Sequence, residues 1–135
     1  MAMTGTSVDG PRTPDEVWER YARPGLWSEW APQIRGVEVD VDRMVAGVRG
    51  RVLSWGGVYA DFVVDAWDDD SRRWSWTVRP HLSVPPVSLP ELRLRHGVRA
   101  AAAGSQAWLV VEGPAVLVFG YLLPARLALH RLTHA

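Results

Sequence analysis

The sequence contains no cysteine, no lysine and no asparagine, and its one isoleucine is Ile34. The absence of cysteine excludes disulfide bonds, thiolate metal sites and a cysteine nucleophile. Lysine, asparagine and isoleucine share AT-rich codons, so their scarcity predicts a GC-rich genome and hence a bacterium. An excess of one charge is also missing, because 15 arginines balance 15 acidic residues. The whole chain therefore has no net field that would attract nucleic acid.

The sequence also shows no pattern typical of a signal peptide or a membrane-spanning helix. Residues 1–10 have neither a basic start nor an apolar stretch, so we do not expect a signal peptide. The uncharged stretch 113–125 is too short to span a bilayer and contains Pro124. These features predict a cytoplasmic protein without a membrane span.

What the chain does contain is typical of one globular domain. It has 135 residues, of which 47% are apolar and 22% charged. Eight tryptophans are unusual in so short a chain. Because a buried indole N–H needs a partner, these tryptophans indicate either a thick core or an aromatic-lined cavity. The sequence alone leaves that choice open.

Two short helices are predicted near the N-terminus. Thr13 can cap the first helix, Pro14 suits its first position, and Glu16 completes a capping box. A second short helix is expected over residues 26–31, with Trp27 and Trp30 on one side.

From residue 34 the hydrophobic period changes from helical spacing to two, which predicts strands. The predicted strands are 34–41, 47–55, 58–67, 73–79, 92–100 and 107–112. Residues 80–91 are proline-rich and are predicted to form a rim or lid instead of a central strand. A C-terminal helix is predicted over residues 115–132, kinked at Pro124. Its predicted buried stripe consists of Val116, Gly120, Leu123 and Leu127.

This order predicts an α+β fold, and four stretches resemble the helix-grip superfamily known as SRPBCC, which includes START-like and polyketide cyclase/dehydrase-like proteins. The four stretches are residues 14–18, residues 27–32, residues 74–76, and residues 94–96 together with Gly104 and residues 113–114 further along the chain. The resemblance implies a curved antiparallel sheet of six or seven strands wrapped around a long C-terminal helix. The domain is expected over residues 13–135, with residues 1–12 flexible or forming a short edge strand, since 4–9 have a weak strand pattern.

The resemblance also implies a deep apolar cavity between the sheet and the last helix. A small hydrophobic or polyketide-like molecule is the expected ligand, and the leading hypothesis is a polyketide cyclase/dehydratase-like enzyme. The alternative is a non-catalytic carrier or sensor of a hydrophobic ligand. No cofactor, metal site or nucleic-acid partner is predicted, and a homodimer is left open.

His96 is the candidate catalytic residue, because strand alternation places it on the same face as Leu94 and Val98. A neutral imidazole in the cavity can act as a general acid or base. The alternative is a buried histidine hydrogen-bonded to a backbone carbonyl. The predicted ligand-binding residues are Trp27, Trp30, Tyr59, Phe62, Trp74, Trp76, Phe119 and Leu123.

Arginines alternate along two of the predicted strands on the outward face. Cross-strand ion pairs with Asp61 and Asp65 account for such a stripe without nucleic acid. The arginines concerned are Arg73, Arg79, Arg93, Arg95 and Arg99.

Overall fold

The computed structural model describes residues 1–134. Its three helices are α1 (Pro14–Ala22), α2 (Trp27–Trp30) and α3 (Ala115–Thr133). Its strands are β1 (Ala2–Gly10), β2 (Gly36–Glu38), β3 (Arg49–Leu53), β4 (Val58–Asp68), β5 (Arg73–Leu82), β6 (Val87–Ser88), β7 (Leu92–Ala101) and β8 (Gly104–Gly113).

The strands form one antiparallel sheet with the order β1-β8-β7-β5-β4-β3-β2, and the short β6 pairs with the end of β5. Helix α3 lies against β1 and β8, while α1 and α2 cover one end of the interior. The α+β, helix-grip prediction is confirmed, with a long C-terminal helix and two short helices near the N-terminus.

Helix α1 begins as the sequence predicts. The Thr13 hydroxyl accepts from the Glu16 backbone N–H, and the Glu16 carboxylate accepts from the Thr13 backbone N–H. This capping box satisfies two of the N–H groups that a helix start leaves unpaired. The next turn carries Val17, Trp18 and Tyr21 into the core.

Residues 2–10 form an edge strand of the sheet. β1 pairs with β8 along its whole length, from Ala2 opposite Gly113 to Gly10 opposite Ser105. Its even-numbered residues, such as Thr6 and Val8, face inward, and helix α3 packs against this strand. The local pattern was weak because glycine and serine alternate with these residues, and pairing with β8 supplies the missing stability.

The proline-rich segment is partly strand. β5 continues through Pro80 to Leu82, and β6 folds back to pair with it. Pro80 is tolerated because β7 pairs with β5 only as far as Val78 opposite Leu92. On that side Pro80 therefore lies beyond the β7 ladder, where its missing N–H costs no hydrogen bond to β7.

The sequence predicted that the outward arginines form cross-strand ion pairs, but most of them do not. Arg79 pairs with Glu91 at 2.9 Å, and Asp65 accepts from Thr77 at 2.7 Å. Within residues 1–134, no carboxylate lies within ion-pair distance of Arg73, Arg93, Arg95 or Arg99. The register explains this for Arg93 and Arg95, because Thr77 and Ser75 of β5 stand between them and the acids of β4.

The predicted buried stripe of α3 is wrong. Val116, Leu123 and Leu127 are 84%, 79% and 49% exposed, and Gly120 is also exposed. The buried side chains lie on the opposite face: Val118, Ala125, Ala128, Leu129 and Leu132. The helix is apolar nearly all round, so periodicity could not select the face. By length and composition this helix is also apolar enough to cross a membrane, a test that core helices pass as well.

Candidate ligand cavity

The interior between α3 and the sheet contains a hollow with two lobes. The inner lobe is about 30 Å³ and the outer lobe about 210 Å³. Both lobes are lined by the same four residues at their common boundary: Gln33, Ile34, Trp76 and Tyr121. The chain after α2, strand β5 and helix α3 together position this boundary.

The inner lobe is small because tryptophans fill the end of the interior beneath α1 and α2. Trp27 is 1% exposed and donates its indole N–H to the Tyr21 carbonyl at 2.8 Å. Trp30 donates to the Arg20 carbonyl at 3.1 Å. Trp74 packs against Trp27, with ring centroids 5.8 Å apart. All three tryptophans line the inner lobe, so they do face a hollow, but one with room for little more than a water molecule.

His96 lies in the wall of the inner lobe and is 5% exposed. Its ring stacks on Trp74 with centroids 4.6 Å apart and 13° between the planes. The Trp76 indole N–H donates to His96 Nε2 at 3.1 Å. Since an indole N–H can only donate, Nε2 must be the unprotonated nitrogen. The proton is therefore on Nδ1, which faces the Tyr21 hydroxyl at 3.5 Å.

Burial lowers the pKa of His96 from 6.5 to about 3, so the ring is neutral at pH 7. With one nitrogen accepting from Trp76 and the other facing Tyr21, the imidazole has no free nitrogen aimed into the hollow. The alternative that the sequence left open, a buried and satisfied histidine, fits this geometry, although the partners are side chains and not a backbone carbonyl.

The outer lobe is lined mainly by aliphatic side chains and is partly open to the surface. They are Ile34, Val52, Val58, Ala60, Val78, Leu92 and Leu94. Strands β3, β4, β5 and β7 supply six of these from the inward side of the sheet. This lobe, rather than the tryptophan-rich end, holds most of the space for an apolar ligand.

Two polar side chains mark the inner end of the outer lobe. The Oε1 atom of Gln33 is buried and has no hydrogen-bond partner within residues 1–134. Burial raises the pKa of Tyr121 to about 12, and hydrogen bonding by the Gln33 side chain partly offsets this increase. The phenol is therefore protonated at neutral pH and can donate. An acceptor and a donor without charge can hold one polar group of an otherwise apolar molecule.

The remaining predicted residues are divided between the hollow, the core and the surface. Tyr59 borders the outer lobe, but its ring stacks on His81 at 4.9 Å and lies under the Arg51 guanidinium. Phe62 is buried against Trp76, 5.3 Å between centroids, and borders neither lobe. Phe62 thus packs in the core, and Trp76 alone of the predicted tryptophans borders both lobes.

Phe119 and Leu123 are not cavity residues, and their prediction as ligand contacts is wrong. They are 59% and 79% exposed, because they lie on the outward face of α3. The side of the helix that faces the hollow carries Tyr121, Ala125 and Ala128 instead. The error follows directly from the choice of the wrong helix face.

Sequence reasoning missed Gln33 as a candidate site residue. Gln33 follows Pro32 in a segment without periodicity, and no pattern distinguishes a buried glutamine from a solvated one there. The one signal available was its position directly after the Trp27–Trp30 helix, which the resemblance associates with the pocket.

A protein-family model described as "Polyketide cyclase / dehydrase and lipid transport" matches residues 1–122. No curated protein is similar enough to this sequence to be matched to it.

Several solved structures share the fold. DynU16, a putative protein in the dynemicin biosynthetic locus, superposes with a TM-score of 0.76 at 18% identity over 97% of this chain. This chain spans 45% of the length of DynU16. MLL2253 from Mesorhizobium loti gives a TM-score of 0.75 at 15% identity, with 98% of this chain and 94% of that chain covered. Ara h 8.0201 gives 0.74 at 14% identity, with 98% and 95% covered. At these identities the likeness shows the fold alone.

Proposed function

Because the chain belongs to the polyketide cyclase/dehydrase and lipid-transport family, within the helix-grip superfamily, we propose that it binds a small, largely apolar ring compound. The fold is a hydrophobic ligand-binding fold, and the outer lobe is where the ligand would lie. Its aliphatic lining, with Gln33 and Tyr121 at the inner end, is the observation that carries the proposal.

The size of the lobe limits the ligand. Pockets for drug-sized molecules are about 300–1,000 Å³, whereas the outer lobe is about 210 Å³. A compound of one or two rings with a single hydroxyl or carbonyl group is the class that fits. The polar group would be directed at Gln33 and Tyr121, since an unpaired buried Oε1 gains a hydrogen bond from a hydroxyl.

A carrier or sensor is the function that the cavity chemistry supports best. The two titratable side chains bordering the inner lobe are His96, with a pKa near 3, and Tyr121, with a pKa near 12. Neither has its pKa near neutral pH, where general acid–base catalysis is most efficient. Binding by shape and one neutral hydrogen-bond pair needs no such group.

A polyketide cyclase or dehydratase is the second candidate, and the family match favours it. In that reaction the cavity would hold a keto chain in a folded conformation, so that proximity supplies most of the acceleration. His96 would be the catalytic residue, transferring the proton, and Tyr121 would donate to the developing enolate oxygen. A hundredfold loss of turnover on a keto-chain mimic in His96→Gln, with ligand affinity kept, would establish this candidate over the carrier.

Filling the outer lobe tests the binding proposal. Ala60 borders the lobe, whereas Ala66 on the same strand is exposed, so Ala60→Leu and Ala66→Leu form a matched pair. Isothermal titration calorimetry with 2-naphthol should show at least about tenfold weaker binding in Ala60→Leu and no change in Ala66→Leu. Failure of the unmodified protein to bind 2-naphthol or any other one- or two-ring phenol would reject the proposal.

Native mass spectrometry of freshly purified protein separates the two candidates. A small apolar compound retained unaltered is expected of a carrier, and conversion of a keto-chain mimic is expected of an enzyme. The proposal also includes a cytoplasmic location and a bacterial source. It makes no choice between a monomer and a homodimer.

A further inference from the structure

The exposed face of α3 carries a continuous apolar stripe. Val116, Phe119, Leu123 and Leu127 are spaced three or four residues apart, which places them on one side of the helix. Their exposed fractions are 84%, 59%, 79% and 49%. We call these four side chains the α3 stripe. Such a patch, on the order of 400 Å², is of the size that marks an interaction site.

The charges on α3 are all of one sign. Between residues 115 and 133 the helix has Arg126 and Arg131 and no aspartate or glutamate. Arg126 donates to the Thr6 hydroxyl at 2.7 Å, a neutral partner that leaves its charge uncompensated. Arg131 is exposed, lies one turn beyond Leu127, and has no carboxylate within ion-pair distance in residues 1–134.

From these observations we propose that the α3 stripe docks on an anionic lipid surface. An exposed apolar helix face combined with basic residues is the pattern of a helix that lies in the membrane interface. The apolar side chains enter the boundary of the acyl region, and the arginines contact the acidic headgroups. The helix lies along the membrane and does not span it, because its other face is packed against β1 and β8.

A second copy of the chain fits this surface less well. A stable protein interface buries about 800 Å² on each partner, roughly twice the stripe. In a two-fold dimer the same face meets itself, and neither helix has an acidic residue to pair with the arginines of the other. A lipid surface removes both difficulties, since it is laterally unlimited and supplies negative charge.

Docking would also place the hollow close to the lipid. Tyr121 borders both lobes and lies in the N-terminal half of α3, at the same level along the helix axis as Phe119 and Leu123. The lipid contact is a property of the outward helix face, however, and does not depend on which ligand the hollow takes.

Flotation with lipid vesicles tests the proposal. The full chain should float with vesicles of phosphatidylcholine and phosphatidylglycerol, and less with vesicles of phosphatidylcholine alone. Leu123→Asp should weaken partitioning by at least about tenfold, the effect of losing one buried leucine. Val84→Asp is the matched control, because Val84 is 91% exposed in the loop before β6 and should leave partitioning unchanged.

A second pair of variants isolates the charge. Arg131→Gln should weaken binding to the anionic vesicles, whereas Arg99→Gln on the outward face of the sheet should not. Circular dichroism establishes that each variant is folded. The proposal fails if the unmodified chain does not float, or if Leu123→Asp floats equally well. It also fails if sedimentation shows a dimer that Leu123→Asp dissociates, which would assign the stripe to a second copy.

Discussion

Aromatic side chains hold both ring nitrogens of His96. Trp76 donates to Nε2, Tyr21 faces Nδ1, and Trp74 covers the ring. A histidine placed in this way fixes the orientation of two large neighbours, since each finds its buried polar atom satisfied. Its contribution is therefore to the packing of the interior, and its cost is that the ring cannot become charged without losing these contacts.

The stability of the protein is expected to depend on pH through His96. The unfolded chain takes up a proton at His96 below about pH 6.5, whereas the folded chain does so only near pH 3. The free energy of unfolding should therefore fall as the pH is lowered from 6.5 towards 3, by up to about 1.4 kcal/mol per pH unit from this residue. Tyr21, which contacts the ring, has a pKa raised well above its usual value and does not titrate in this window.

Urea unfolding at several pH values measures this effect, with His96→Gln as the comparison. Glutamine has a neutral acceptor and no titration, so the variant should lose the His96 contribution between pH 6.5 and 5 and show a smaller slope there. Equal slopes for the two proteins in that range would show that His96 is not buried as described.

At the scale of elements, close approaches between neighbouring strands and helices fix the register. Gly97 of β7 lies under the Trp108 ring of β8, and a Cβ built at Gly97 would be 2.4 Å from the ring. Gly10 at the end of β1 meets Thr133 of α3, where a Cβ would be 2.4 Å from the Thr133 carbonyl oxygen. Gly97 therefore leaves room for the Trp108 ring on the sheet, and Gly10 allows β1 and α3 to come into contact.

Gly97→Ala should destabilise the protein by about 1–3 kcal/mol, because the Trp108 ring has to move from the sheet. Gly36→Ala in β2 is the control, since a Cβ there meets no atom within 4 Å. It should leave the free energy of unfolding nearly unchanged or slightly raised. Chemical denaturation of the three proteins gives the comparison, and a stable Gly97→Ala would contradict the packing of Trp108.

At the scale of the whole molecule, the interior is filled at one end and hollow at the other. Six of the eight tryptophans form one connected cluster beneath α1 and α2, from Trp18 through Trp67, Trp74 and Trp27 to Trp30 and Trp76. The hollow remains where valine and leucine of the central strands face Tyr121. Trp76 stands at the boundary between the two lobes.

Trp76→Leu should therefore join the two lobes and change the size of ligand accepted. A three-ring phenol should gain affinity relative to 2-naphthol, while the free energy of unfolding falls by a few kcal/mol through the lost packing. Trp55→Leu is the control, because Trp55 is 62% exposed and borders neither lobe. An unchanged preference between the two phenols in Trp76→Leu would show that Trp76 does not set the ligand size.

Local chemistry in the sequence was sufficient for most of the fold. Thr13 and Glu16 define the start of α1, and the alternation of apolar residues defines the central strands, because these signals depend on neighbours within a few residues. The inward direction of His96 also followed from alternation alone. Its chemistry did not, since Trp76 and Tyr21 are 20 and 75 residues away in the chain.

The buried side of α3 and the position of the hollow depend on tertiary contacts that the sequence pattern does not contain. The helix is apolar on both faces, so its orientation is set by β1, which packs on Thr133 and accepts a hydrogen bond from the exposed Arg126 but leaves Phe119 and Leu123 in solvent. The tryptophans likewise can line or fill a space, and their local spacing is the same in both cases. Packing between distant segments makes that choice, because the volume left over depends on all the side chains that meet there.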